Sequence, residues 1–128
     1  MRTTLKIWLA ASFFSIFLLP ACKKHRHDEV RIDILSPSQG ATVNNPFLLH
    51  VKFSAEEEIH DLSVEIKDLL KPGDPIVYVY STHVHQKNFE LRDSLFISLP
   101  ETRELHLKAT AGEGQHATSQ TQTFFVTP

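Results

Sequence analysis

Residues 30–128 predict an all-β domain, a two-sheet antiparallel sandwich of about seven short strands. Two observations carry this. Apolar residues recur with period two rather than 3.6, the spacing that puts them on one face of a strand. Residues that favour turn dihedrals separate those runs at short intervals, which is the punctuation of a sandwich.

Val30, Ile32 and Ile34 alternate with Arg31 and Asp33, and Ser36-Pro37-Ser38-Gln39-Gly40 ends that strand. Phe47, Leu49, Val51 and Phe53 form the second strand, alternating with His50, Lys52 and Ser54. Leu62, Val64 and Ile66 form the third, before the strong turn Lys71-Pro72-Gly73-Asp74-Pro75. Ile76 to Tyr80, apolar on both faces, is the fourth. Leu95, Ile97 and Leu99 mark the fifth, and Leu105, Leu107, Ala109 and Ala111 the sixth. A loop at Gly112-Glu113-Gly114-Gln115 leads to a last strand over 118–126.

The chain divides ahead of this domain. Met1 to Lys6 carries Arg2 and Lys6 and no acidic residue, and Ile7 to Leu19 is an uncharged, mostly apolar run. This is the charged start and apolar middle of a secretory leader, and it is too short for the ~20 residues of a spanning helix. A buried core helix is the other reading of a short apolar run. The position at the extreme N-terminus and the Lys23-Lys24-His25-Arg26-His27 stretch that follows favour the leader.

Leu19-Pro20-Ala21-Cys22 then resembles the lipobox of bacterial lipoproteins, with an aliphatic residue three before the cysteine and a small one just before it. The resemblance implies a helical signal peptide over 1–21, cleavage between Ala21 and Cys22, and acylation of the Cys22 thiol by diacylglycerol and a further acyl chain such as palmitate. Each buried methylene adds ~0.8 kcal/mol, so several chains anchor firmly where one is marginal. Pro20 departs from the commoner residues at its position. Residues 22–29 become a lipidated cysteine with a polar tether, which reaches at most about 25 Å. Its three cations would lie against anionic headgroups. Lys23 after the cysteine resembles the sorting pattern of lipoproteins delivered to an outer membrane, on its periplasmic or surface face.

Cys22 is the sole cysteine, so the domain folds without an internal disulfide. After cleavage the chain carries a net charge of −4 and no basic stripe, which argues against nucleic-acid binding. A domain of this size buries about 65% of its unfolded surface and can stand as a monomer.

Ile34-Leu35-Ser36-Pro37 through Gly40-Ala41-Thr42-Val43 into Phe47 and Leu49 resembles the opening of the Ig-like and fibronectin type III-like domains of bacterial surface proteins. The likeness spans about residues 30–128. It departs from antibody-type domains, since the sole Trp, Trp8, lies in the leader and neither a cysteine pair nor a tyrosine corner is present.

His83-Val84-His85 is the sharpest chemical feature. Residues i and i+2 of a strand face the same way ~6.5–7 Å apart, so both imidazoles could chelate one Zn or Cu ion once a third ligand joins them. Val84 would point inward. The bland alternative is a pair of solvated histidines. A His-x-His segment here is also similar to one in a family of small Ig-like bacterial lipoproteins without an assigned role. His25, His27 and Asp28 make a second such pair, on a tether better read as a solvated linker.

A loop cluster is the third candidate. In a sandwich the loop after the second strand lies at the same end as the loop before the last. Glu56, Glu57, Glu58, His60 and Asp61 would then approach Glu113 and His116, with His60, Asp61 and His116 as cation ligands. His50 and His106 fall on the polar phase and read as surface residues.

No nucleophile elbow, zinc-protease helix, phosphate loop or Cys-x-x-Cys appears, so no catalytic residue is expected. Tyr78, Tyr80 and Phe96 would mark a protein or glycan contact if exposed. The alternative is that Ile76–Tyr80 is a central strand, or is covered by Phe89–Leu91. The functional expectation is an envelope-anchored, non-catalytic binding or accessory module. The alternative is a metal-binding lipoprotein using His83 and His85.

Overall fold

The computed structural model describes residues 29–112 and 114–128. The leader, Ala21, Cys22, His25, His27 and Glu113 lie outside the described residues. Six strands are formed: β1 (Arg31–Ser36), β2 (Thr42–Asn44), β3 (Phe47–Lys67), β4 (Ile76–Leu95), β5 (Arg103–Ala111) and β6 (Thr118–Thr127). A 3₁₀ turn at Gly114–His116 precedes β6. No helix of the described residues is long and apolar enough to cross a membrane.

The expected all-β sandwich is present, but two of its strands are twice the expected length. The first half of β3, from Phe47 to Ser54, pairs with β1 on one side and with β4 residues 88–95 on the other. The second half, from Leu62 to Lys67, pairs with β4 residues 76–83 and with β5. A single sheet therefore curls into two leaves that share the β3–β4 hairpin. The second leaf continues through β5 to β6 and β2.

The seven expected strands correspond to these leaf segments with three corrections. Residues 55–61, read as a loop, are bulged strand, because the hairpin bends between leaves without leaving its ladder. The fifth strand is 88–95, not 95–99. Ile97 and Leu99 are buried as their spacing suggested, yet they lie beyond the ladder. There the Asn45 side chain stands in for a strand, its Nδ2 donating to the Ile97 carbonyl at 2.8 Å and its Oδ1 accepting from the Ile97 N–H at 3.1 Å. Finally, β2 pairs with β6 in parallel, so the sandwich is not wholly antiparallel.

Asn45→Ala strips both partners from a largely buried peptide group, and should cost ~1–3 kcal/mol of unfolding free energy in urea titration. A loss below ~0.5 kcal/mol would show that the two bonds contribute nothing net.

The inner faces of the leaves meet through Phe47 and Phe124, whose rings lie 5.5 Å apart, among Leu49, Val51, Val64, Ile66, Leu105 and Leu107. At the opposite end of β4, Phe89 sits between Phe53 and Tyr80, at 6.3 and 6.2 Å. Tyr80 is thus covered by the Phe89 segment, and Ile76–Tyr80 is an edge rather than a central strand. Tyr78 is half-buried. Burial, then the Asp93 carboxylate and Tyr80, raise its phenol above the ordinary value. Val79 and Phe96 remain exposed.

The direction of each strand fixes which turns share an end. The chain enters β1 at Arg31, beside Ser54 and close to the bulged crossings of β3 and β4. The β5–β6 turn lies at this same end, where the Gly112 N–H donates to the Asp61 carbonyl at 2.8 Å. Gly112 has φ 92°, which suits glycine at that turn.

Candidate metal centre

The site arises from a change of phase. In the first half of β3 the odd residues Phe47, Leu49, Val51, Phe53 and then Ile59 are buried. From Leu62 onward the even residues Leu62, Val64 and Ile66 are. A strand that keeps its pleat cannot do this, so an irregularity must lie between 59 and 62. The ladder contains it: Ile59 pairs with Gln86 but Asp61 with His83, so one β3 residue, His60, faces two on β4. Such a bulge re-aims side chains at the cost of a local gap in the ladder.

Its consequence is that the adjacent residues His60 and Asp61 both turn away from the core. His60 joins His83 and His85, and the three imidazoles each offer a ring nitrogen within 4.8 Å of the others. Ring centroids are 5.8 Å apart for His60–His83, 5.0 Å for His60–His85 and 4.9 Å for His83–His85. All three are exposed, whereas Val84 between the β4 pair packs against the core. The inward Val84 and outward histidines follow the expected alternation.

Carboxylates flank the rings. Asp61 Oδ1 accepts from His83 Nδ1 at 2.8 Å, which leaves Nε2 of that ring as its metal-facing atom. Glu58 Oε2 lies 3.7 Å from His85 Nδ1. Zinc bonds of 2.0–2.1 Å would draw the nitrogens to about 3.3 Å of one another, so small side-chain rotations convert the cluster into a three-nitrogen face. Imidazoles with a carboxylate behind one of them suit Zn or Cu, and not Ca or Mg, which prefer oxygen ligands.

Asp61→Asn keeps the size and the acceptor but removes the charge behind His83. Zinc affinity should fall ~10–100-fold, as for other groups that orient a metal-bound histidine. Circular dichroism and urea midpoint should stay unchanged; an unaltered affinity would deny Asp61 that role.

The expected loop cluster is divided. His60 belongs with His83 and His85, Asp61 acts behind His83, and His116, exposed on the 3₁₀ turn, is not among the grouped ligands. The sequence reading singled out His60 but assigned it to other partners. The one trace of its true grouping is the three-residue step from Ile59 to Leu62, which interrupts the alternation. His50 is more covered than its polar phase suggested: its side chain is 16% exposed and meets Glu90 Oε1 at 2.5 Å. His106 is half-buried beside Leu69 and Leu70.

Comparison of the chain with protein-family models and with curated proteins finds no match.

Proposed function

We propose that this chain is a lipid-anchored envelope protein whose Ig-like domain binds a transition-metal ion, zinc or copper, without catalysing a reaction. The observation that carries this reading is the three-histidine group on the outer face of the β3–β4 hairpin. Two of its members were expected to need a third ligand from a neighbouring strand, and His60 is in that position. Calorimetric titration with Zn or Cu at neutral pH tests it directly. One equivalent bound with sub-micromolar affinity is expected, and absence of heat together with absence of chelator competition would sink it.

The anchor rests on Cys22 and the leader. Cys22→Ser should abolish lipid labelling and cleavage before residue 22, and a variant still recovered as a lipid-labelled membrane protein would disprove the assignment. Lys23 supports delivery to an outer membrane.

A second reading, a metal-independent module that binds a protein or glycan, is favoured by Val79 and Phe96. They are 62% and 71% exposed, and Val79 lies on the outer edge strand β4. Under that reading a partner would bind equally well with and without chelator.

A further inference from the structure

Three histidines leave one position of a tetrahedral metal unfilled, and closed sites fill it with a fourth protein ligand. The place where the chain enters the domain bears on which group that is. Glu29, Val30, Arg31 and Ile32 line one cleft with Thr118, Ser119 and Gln120. Thr118 pairs with Ala111, and Ala111 with Leu62, so two strand spacings, about 10 Å, separate Thr118 from the turn of chain that carries His60 and Asp61. A second path agrees: Arg31 pairs with Ser54, Ser54 with Asn88, and His85 lies three residues along β4 from Asn88.

Of the eight histidines, two stand immediately upstream of this entry, at positions 25 and 27. An extended chain advances ~3.3–3.6 Å per residue, so His27 reaches about 7 Å beyond Glu29 and His25 about 14 Å, before side-chain length is added. Both distances match the gap to be crossed. Glu58, the nearest alternative, is already directed at the Nδ1 of His85.

We propose that the His25-x-His27 pair supplies the fourth ligand to a metal held by His60, His83 and His85. This rests on the metal-binding reading above and deepens it: zinc or copper would tie the tether to the end of the domain from which it emerges. Both tether histidines can serve in turn, and linkage in one chain gives the added imidazole a high effective concentration.

The test uses the full chain in detergent, in a Cys22→Ser background so that no thiol competes for metal. Zinc affinity is measured by chelator competition, and the ligand nitrogens of bound Cu(II) are counted from electron paramagnetic resonance hyperfine structure. The reference protein should show four nitrogens. The double variant His25→Ala, His27→Ala should show three, with zinc affinity lowered roughly tenfold or more. His60→Ala should lower affinity further. If the double variant matches the reference while His60→Ala loses binding, the three-histidine site stands and the tether proposal falls. If the fourth nitrogen survives in the double variant only as zinc- or copper-dependent dimers on size-exclusion chromatography, a second copy supplies it, and the proposal is again overturned. If the reference binds neither ion, both readings fall.

Discussion

His60→Ala is expected to reduce zinc affinity by ~100-fold or more, at or beyond the upper end of what loss of an orienting outer group costs. The reason is geometric. His83 and His85 alone present two nitrogens from one strand, and a protein site for zinc needs at least three. His60 supplies the third from β3, across the bulge. Because its side chain is exposed, the substitution should leave folding stability within ~0.5 kcal/mol of the parent. Affinity and stability are therefore separable readouts. His116→Ala serves as the matched control, since it removes an exposed histidine at the same end of the domain without touching the group. Equal losses in the two variants would mean that the β5–β6 turn, and not β3, holds the third ligand. Zinc binding by imidazoles displaces protons, so the affinity of the parent should weaken as pH falls.

Phe124→Ala should lower the unfolding free energy by ~3–5 kcal/mol. Phe124 is fully buried on β6 and meets Phe47 on the other leaf at 5.5 Å, so truncation opens a void where the leaves interdigitate. For a domain of about 100 residues each kcal/mol shifts the melting temperature by ~4–8 °C, which predicts a drop of at least ~12 °C by calorimetry. Phe96→Ala is the contrasting case. Its ring is 71% exposed beyond the end of β4, and its removal should change stability by no more than ~0.5 kcal/mol. A loss under ~1 kcal/mol in the Phe124 variant would mean that the leaves close over the void, and that their facing aromatics do not hold the sandwich together.

The aromatic residues show how the sequence reading divided. Phe47 and Phe53 were legible as core because each sits on the apolar phase of its strand. Phe89 was not assigned to a strand, and its place between Phe53 and Tyr80 follows from β4 running past the expected strand end at Tyr80. Ile97 and Leu99 were correctly read as inward and wrongly read as laddered, since alternation reports which face a residue takes and not which backbone it pairs with. The parallel contact of β2 with β6 had no signal, because three residues are too few for a period.

For the metal site the same division holds. Local pattern alone determined the all-β class, most of the core and the shared outward face of His83 and His85, because side-chain alternation is a property of one strand and needs no partner. Which residue faces that pair across the hairpin depends on register, and register changes by one at the bulge between Ile59 and Asp61. In an unbroken ladder from the Asp61–His83 pair, His60 would lie opposite Val84 on the inner face. The bulge instead turns His60 outward beside both β4 histidines, while Asp61 stays behind His83. A one-residue slip exchanges the two faces of a strand, so only the folded hairpin could decide that three histidines, and not two, meet.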